Sequence, residues 1–396
     1  MNRKISLHHV LLMVAFCVTA TFLLSASFFY YYVVPKREGD LFDINNKLIE
    51  IEKIVDEYYI GEYDKQDIAD GLFLGYAFGL NDPYAGYITK EDSDESLNSL
   101  YGLNTGIGVQ VTAHPDNNTM YVLEVHKGSP ADQAGVLPGD EIFELDGQIL
   151  ANIGYSAALA YIPTVPIGQK IHTGIIRNGE KIYLDIELQV FESQSVFYRN
   201  VNGIGYVLVT GFSSGTFGQF TEACDKLKEQ GVKGVVIDLR NNGGGLLNTA
   251  YHMIDYVIPA GLAIEVDYKG ESRDETYLSG ESEYDLPIAI LTNDQTASAS
   301  ELFSQALLDY DKAITIGGYT YGKGVVQRTF TLSDGSLFRC TVAKYYTANG
   351  TCLDGIGVAP TIPTEWTDDE LRYRLINGIE VDKDFLAAVD YFDQLS

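Results

Sequence analysis

The strongest fold signal in this sequence is VVIDLRNNGGGLL, at residues 235–247. It begins with an apolar run that is typical of a strand buried on both faces of a parallel sheet. Three glycines, Gly243 to Gly245, follow this strand and precede a helical stretch. Backbone amides in such a loop can face a developing negative charge or a phosphate. The spacing G-x-G-x-x-G and the Walker lysine are both missing, so we discount a nucleotide site.

The segments around this strand alternate between strand and helix patterns. Further apolar strands are GYVLVT (205–210), PIAILT (287–292) and AITIGG (313–318), and later strands are VVQRTFTL (325–332) and SLFRCTVAKYYT (336–347). Helical patterns cover 217–230, 246–257 and 298–311. Strands that alternate with helices predict an α/β domain, which we place at residues 193–365.

Residues 101–192 predict a β-rich domain of a different kind. Its segments alternate apolar and polar residues between turn residues: GIGVQV (106–111), MYVLEV (120–125), EIFELDG (141–147) and KIYLDIEL (181–188). One short helix is predicted near 155–161. The length suits an independently folding domain.

Helical patterns predominate at both ends of the chain. Apolar residues recur at helical spacing over 42–60 and 67–80, within a helical region at 38–100 in which the acidic segment Lys90–Ser99 is predicted to be a linker. The tail, 366–396, has two short helical patterns. We expect the tail to pack either on the core or against another subunit, and the second alternative would make the protein a homo-oligomer.

Residues 1–37 predict a cytoplasmic tip and a membrane anchor. Val10–Val34 carries no charge and is long enough to span a bilayer with some tilt. Three tyrosines, Tyr30 to Tyr32, lie near its end, where aromatic residues suit the membrane interface. A cleaved signal peptide would have a shorter apolar run and a small-residue cleavage site. We therefore predict an uncleaved transmembrane helix.

Composition excludes several classes of function. The chain has 27 basic and 55 acidic residues, a net charge of −28. Such an acidic protein is a poor ligand for a phosphate backbone, so we predict no nucleic-acid partner. Four cysteines without CxxC spacing, and the absence of HExxH, predict no metal site. No cofactor is predicted.

Two serines begin predicted helices and are candidate nucleophiles. Ser213 lies in a G-x-S-x-G pattern, but the only later histidine is His252, in the helix after the next strand. Ser298 follows a strand, and Ser298-x-x-Glu301 also fits a helix-capping box. Lys323 has glycine and apolar neighbours, and a buried lysine can lose its charge and act as a base. The alternative for Lys323 is an exposed turn lysine.

Taken together, these motifs resemble the carboxy-terminal processing proteases, also called tail-specific proteases. The resemblance covers nearly everything after residue 42: LNDPYAGYIT (80–89), GIGVQV (106–111), GSPADQAGVLPGDEIFELDG (128–147), VVIDLRNNGGGLL (235–247), TASASELFSQAL (296–307), YGKGVVQ (321–327) and KYYTANG (344–350). It implies a helical N-terminal part, a PDZ domain and a serine protease core with a Ser–Lys dyad.

The resemblance also implies roles for individual residues. The nucleophile falls on Ser298, the general base on Lys323, and the residue that orients the base on Gln327. The oxyanion donors fall on the amides of Ala299 and Gly244. The G-x-S-x-G match at Ser213 is then accidental.

Departures from the family pattern are also present. The protease loop has Gly243 where the family has proline, and Gln295-Thr296 replaces the usual glycine-serine opening of the serine motif. Pro163-Thr164 replaces an arginine-glycine pair near the end of the PDZ region, so we do not expect an arginine-based PDZ switch.

In the PDZ region, the amides of Ile107, Gly108 and Val109 resemble a loop that binds a peptide's terminal carboxylate. A glycine turn entering a strand is the alternative explanation of this loop.

The sequence as a whole predicts a mixed α/β, multidomain, membrane-anchored serine endopeptidase with its catalytic part outside the cytoplasm of a bacterium. Its expected partners are protein substrates with free C-termini. The rival hypothesis is a catalytically inactive PDZ scaffold at the membrane.

Overall fold

The computed structural model describes residues 40–114, 119–270, 274–281 and 283–395, together with Thr19 and Thr21. Apart from these two threonines, the predicted membrane segment Val10–Val34 lies outside the described residues. Within the described ranges, no helix combines the length and the apolar composition that crossing a bilayer requires. The chain divides into two compact units, one ending at Ile68 and the other running from Ala69 to Ser396.

The described elements mix helices and strands throughout. The helices are α1 Asp40–Tyr58, α2 Lys65–Gly79, α3 Lys90–Tyr101, α4 Pro130–Ala134, α5 Leu150–Ile153, α6 Tyr155–Tyr161, α7 Thr216–Glu229, α8 Leu247–Val257, α9 Ala299–Asp309, α10 Asp368–Asn377 and α11 Lys383–Leu395. The strands are β1 Gly86–Ile88, β2 Leu103–Gly106, β3 Val109–Ala113, β4 Met120–Val125, β5 Glu141–Leu145, β6 Gln148–Ile149, β7 Lys170–Arg177, β8 Glu180–Glu187, β9 Gln189–Glu192, β10 Val196–Val201, β11 Ile204–Val209, β12 Val235–Asp238, β13 Gly261–Tyr268, β14 Glu275–Ser279, β15 Ile288–Thr292, β16 Ala313–Gly317, β17 Val325–Thr331, β18 Leu337–Thr347 and β19 Ile362–Pro363. Short 3-10 helices occur at Ile162–Thr164 and Ile379–Val381.

The acidic segment Lys90–Ser99 is a helix, α3, so the linker prediction was wrong. The side chain of Thr89 accepts a hydrogen bond from Asp92 N and caps the first turn. The acidic residues of that turn also suit the positive end of the helix dipole. Gly102, with φ 68°, ends the helix in the left-handed conformation. These capping signals outweigh the polarity that suggested a linker.

The β-rich domain is built on one antiparallel sheet. Its strand order is β3-β4-β5-β7-β8, with β6 beside β5, and its core consists of buried apolar side chains, among them Met120, Val122, Ile142, Leu145, Ile171, Ile175 and Ile186. The short helix that was predicted near 155–161 is present as α6. Among the residues that the structure describes, strand β3 pairs with a strand on one side only, so its other edge is available to an added strand.

The α/β domain is built on a largely parallel sheet with the order β10-β11-β12-β15-β16-β19. Strands β11, β12, β15 and β16 correspond to the four predicted apolar strands, with ends shifted by one or two residues. Helices α7, α8 and α9 pack on one face, where their side chains join Val207, Val235, Ile237 and Ile290 in a single buried cluster. The loops after β12 and β15 therefore meet at the same edge of the sheet.

A second sheet lies beside the first, with the order β1-β18-β13-β14 and with β17 on β18. Strand β17 and the loop before it carry the predicted lysine motif. Strand β1 comes from the N-terminal part of the chain and pairs with β18 at Gly86↔Arg339 and Ile88↔Leu337. This pairing brings the motif at residues 80–89 to the lysine loop.

Helix α11 of the C-terminal tail packs on the core, as in the first of the two alternatives that the sequence left open. Side chains of α11 are buried on the second face of the parallel sheet: Phe385, Ala388 and Phe392. Ion pairs reinforce this contact, because Arg240 binds Asp238 (2.6 Å), Asp382 (2.8 Å) and Asp384 (2.8 Å). All four of these charged side chains are at least nine-tenths buried.

Candidate active site

Ser298 lies in the turn that joins β15 to α9. Its backbone has φ 57° and ψ −118°, a conformation that residues other than glycine rarely adopt. Ala297 N donates a hydrogen bond to Asn242 O (3.0 Å), and the Tyr345 hydroxyl donates to Ser298 O (3.2 Å). The turn is therefore held on both sides, and it presents the half-buried serine at the N-terminus of a helix.

Lys323 lies in the loop before β17, between two glycines that the loop requires. A Cβ at Gly324 would lie 2.2 Å from Asp354 N, and Gly322 has φ +90°. The carbonyl of Lys323 accepts a hydrogen bond from the Tyr345 hydroxyl, which also bonds to Ser298 O. The same tyrosine thus fixes the backbone at the serine and at the lysine.

The environment of Lys323 favours its neutral form. Burial is the largest cause that lowers the pKa of Lys323, and the Arg339 guanidinium lowers it further. Asp82 and Glu301 act in the opposite direction. Among the described residues, Lys323 Nζ has neither a hydrogen bond nor an ion pair, and this includes Ser298 Oγ. The centroid of the Tyr84 ring lies 4.2 Å from Nζ.

Glu301 connects the serine turn to the lysine loop. It is fully buried on α9, and its Oε2 accepts hydrogen bonds from Ser298 N (2.7 Å) and Lys323 N (2.8 Å). Its Oε1 accepts from Gly322 N (2.7 Å) and Thr320 Oγ1 (2.5 Å). The sequence indicated only a capping residue here. The cap contact is present, and the same carboxylate also positions the lysine backbone.

Gln327 faces the same cavity but bonds to Thr341 rather than to the lysine. Its Nε2 donates to Thr341 Oγ1 (3.2 Å), and that hydroxyl donates to Asp82 Oδ1 (3.2 Å). Asp82 Oδ2 also accepts from Thr341 N (2.9 Å). The side-chain amide is thus held by a chain of hydrogen bonds that ends in the N-terminal motif.

The two predicted oxyanion donors lie next to Ser298 but differ in their hydrogen bonding. Ala299 N is at the first position of α9, where no acceptor exists within the helix. Gly244 N already donates to Asn242 Oδ1 (2.9 Å). The Asn242 side chain is itself fixed, since its Nδ2 donates to Val209 O (2.8 Å). The Ala299 amide is therefore the more available of the two donors.

All five predicted catalytic residues line one cavity of about 370 Å³: Gly244, Ser298, Ala299, Lys323 and Gln327. The rest of the lining is mostly aliphatic, with Leu100, Leu246, Leu247, Leu302, Val325 and Val326. An apolar wall beside a serine, a lysine amine of lowered pKa and helix N-terminal amides is suited to acyl transfer from a peptide.

Comparison with known proteins agrees with this geometry. Residues 203–364 match Peptidase family S41, and residues 105–188 match the PDZ domain. The carboxy-terminal processing protease CtpA of Bacillus subtilis (strain 168) is 33% identical over 350 residues, which cover 87% of this chain and 72% of that protein. This chain belongs to the carboxy-terminal processing proteases of peptidase family S41.

Other similar proteins are of the same kind. A probable CtpA-like serine protease of Staphylococcus aureus (strain N315) is 31% identical over 348 residues, covering 87% of this chain and 69% of that protein. The solved photosystem II D1 C-terminal processing protease has a TM-score of 0.46 at 24% identity, covering 79% of this chain and 85% of that one. The S41 protease described here is a serine-type endopeptidase.

In the PDZ domain of this protease, Ile107, Gly108 and Val109 form the turn that enters β3. Gly108 has φ +80°, and a Cβ there would lie 2.1 Å from the Ser129 Cβ, so glycine is required. Gly108 O accepts a hydrogen bond from His126 N (3.0 Å). The Tyr155 hydroxyl, at the start of α6, donates to Val111 O on the open edge strand (3.2 Å).

The remaining candidate nucleophile of this protease lies elsewhere. Ser213 Oγ is 3.0 Å from Thr216 Oγ1, and its backbone N donates to the same hydroxyl, in the turn before α7. It does not line the cavity that contains Ser298. Sequence reasoning missed three neighbours of the lysine. The β1–β18 pairing brings Asp82 and Tyr84 there, and the β17–β18 pairing brings Arg339. Within the described ranges, no group of three His, Cys, Asp or Glu side chains is arranged to hold a metal ion.

Proposed function

We propose that this protease cleaves peptide bonds with Ser298 as nucleophile and Lys323 as general base. The observation that carries the proposal is the single cavity into which the serine turn and the depressed-pKa lysine both open. Neutral Lys323 takes the proton from Ser298 Oγ as that oxygen attacks the substrate carbonyl. The proton passes to the leaving amine, and water then hydrolyses the acyl-enzyme.

The tetrahedral oxyanion binds at the N-terminus of α9. Ala299 N is the principal donor in this proposal, and Gly244 N contributes once its bond to Asn242 Oδ1 is shared or exchanged. Gln327 orients the lysine amine. The hydrogen bond from Gln327 Nε2 to Thr341 Oγ1 holds the side-chain amide, and Gln327 lines the same cavity as Lys323.

A serine-directed activity probe tests the assignment. Ser298→Ala is expected to abolish labelling and peptide cleavage while the fold is retained, which circular dichroism would check. Ser213→Ala is the matched control and is expected to keep most activity. A catalytically inactive scaffold would give no labelling of the wild-type protein. Loss of activity in Ser213→Ala but not in Ser298→Ala would contradict the proposal.

We further propose that the PDZ domain recruits substrates through their C-terminal carboxylates. The amides of Ile107, Gly108 and Val109 precede an open edge strand, the arrangement with which a peptide tail can add a strand. Recruitment contributes to KM rather than to kcat. A peptide with a free C-terminus is expected to bind more tightly than its C-terminal amide. Equal binding of the two peptides would refute carboxylate capture.

The proposed location is the cell membrane, with the catalytic part on the extracytoplasmic side. The uncharged run Val10–Val34 supports a single-pass anchor. Residues 38–396 have 23 basic and 55 acidic residues, a net charge of −32, so an anionic membrane surface would repel them. Alkaline carbonate is expected to leave the full chain in the membrane fraction and to release a chain that lacks residues 1–37. Release of both would refute the anchor.

A further inference from the structure

The loop between α2 and β1 reaches the proposed general base. It contains Asp82 and Tyr84 and follows Gly79, the last residue of α2. Asp82 fixes the loop from both directions, because Oδ1 accepts from Tyr84 N (2.9 Å) and Oδ2 accepts from Thr341 N (2.9 Å). A few residues on, Gly86 pairs with Arg339 as β1 joins the sheet. The position of Tyr84 is thus set by backbone contacts on either side of it.

The ring of Tyr84 lies against the lysine amine. Its centroid lies 4.2 Å from Lys323 Nζ, well inside the range of a cation–π contact. Nζ has no hydrogen bond or ion pair among the described residues. Burial, and then the nearby Tyr321 side chain, raise the pKa of the Tyr84 hydroxyl. The face of the ring is therefore the contact that distinguishes a charged from an uncharged amine.

We propose that Tyr84 is a positioning residue for the catalytic lysine, and that its ring face holds the ammonium of Lys323 while that lysine carries the proton of Ser298. The Oγ–H bond of the serine breaks, the proton forms an N–H bond at Nζ, and the positive charge that results lies against the ring. The attraction exists only for the charged amine, so it is stronger in the transition state than in the active, neutral ground state. This inference rests on the proposed roles of Ser298 and Lys323.

The charges around Lys323 make the role of the ring testable by pH. The ionised groups that act on the lysine are Arg339 on β18, Asp82 on the same loop as Tyr84, and Glu301 on α9. The Tyr345 hydroxyl donates to the backbone carbonyl of the lysine. Removal of the ring would withdraw a contact that favours the charged form, so the amine would lose its proton at lower pH.

Tyr84→Leu and Tyr84→Phe separate the ring from the hydroxyl in the full-length protein. Tyr84→Leu is expected to lower the plateau kcat roughly 2- to 30-fold and to move the acidic limb of the kcat profile to lower pH by up to about one unit. KM is expected to change little. Tyr84→Phe keeps the ring and is expected to stay within about twofold of wild type on every measure. Equal losses in the two variants, or a limb that stays in place or moves to higher pH, would overturn the proposal.

A fluorination series covers the case in which the leucine variant does not fold. Phenylalanine at position 84 with one, two or three ring fluorines keeps its shape while the negative face of the ring weakens. The plateau kcat is expected to fall stepwise with fluorine number, and a flat series would refute the proposal. Lys323→Ala distinguishes failure of the proposed Ser298–Lys323 dyad from failure of the proposed role of Tyr84. If Lys323→Ala is active, the proposed Ser298–Lys323 dyad is wrong. If Lys323→Ala is inactive and Tyr84→Leu is unaffected, only the proposed role of Tyr84 is wrong.

Discussion

Gly244→Ala is predicted to disable the active site without unfolding the protein. A Cβ at this position would lie 2.7 Å from Ala297 O, 2.8 Å from Ala299 N and 2.9 Å from the Ser298 Cβ. It would therefore displace the nucleophile and cover the amide that is proposed to bind the oxyanion. Gly244 also has φ +96°, which L-residues rarely adopt. The neighbouring Gly243 has no such limits, since a Cβ there meets no atom within 4 Å.

The expected size of the effect follows from these contacts. Loss of one oxyanion donor lowers kcat about 10²- to 10³-fold, which is about 2.7–4 kcal/mol of transition-state stabilisation. The positive φ adds about 1–3 kcal/mol of strain to the folded state. A protein of ordinary stability, about 5–15 kcal/mol, remains folded under that cost.

Steady-state cleavage of a fluorogenic peptide, together with urea unfolding, measures both effects. Gly243→Ala serves as the control and is expected to keep kcat within a few-fold of wild type. A Gly244→Ala variant with wild-type kcat would refute the placement of the oxyanion site. Equal losses in the two variants would show that the loop, rather than the contact with Ser298, is responsible.

Three further predictions concern charge and recognition. Burial, and after it the charge of Arg339, lower the pKa of Lys323. Arg339→Gln is therefore expected to raise that pKa and to move the acidic limb of the kcat/KM profile to higher pH. Arg339→Lys keeps the charge and is expected to leave the limb in place. Arg240→Met removes the guanidinium that three buried carboxylates share and is expected to lower the free energy of unfolding in urea by about 3–5 kcal/mol. Lys226→Met, at the exposed pair with Glu229, is expected to change the free energy of unfolding far less. Tyr155→Phe frees Val111 O for a bound peptide and is expected to lower KM about 2- to 10-fold for substrates with a free C-terminus, with no change for their C-terminal amides. An unmoved pH limb, equal unfolding energies or an unchanged KM would contradict the respective prediction.

Local pattern was enough to locate the serine motif and many of the strands and helices, including the four apolar strands of the parallel sheet. The apolar runs before Asp238 and Thr292 predicted β12 and β15, because strands buried on both faces need side chains that are almost all apolar. The order of motifs along the chain indicated the family. The helix at Lys90–Tyr101 was missed because its polarity suggested a linker, although Thr89 and Gly102 provide both caps.

The contacts around the lysine required the tertiary structure. Glu301 satisfies a local capping pattern, and nothing in that pattern shows that its carboxylate also binds Lys323 N. Gln327 has the expected spacing from the lysine, but its partner Thr341 is on the next strand. Tyr84 lies in another part of the chain, and its approach to Lys323 depends on how β1 pairs with β18. Local sequence does not determine such pairings.

The β1–β18 pairing also limits how early in synthesis the residues around Lys323 can come together. Gly86 leaves the ribosome long before its partner Arg339 is made. At about 5–20 residues per second, the intervening 252 residues of the register take roughly 13–50 s to synthesise. Tyr84 and Asp82 are therefore synthesised well before β18, the strand that brings them to the lysine. A nascent chain therefore has no complete set of the residues proposed around Lys323 until most of its length has been translated.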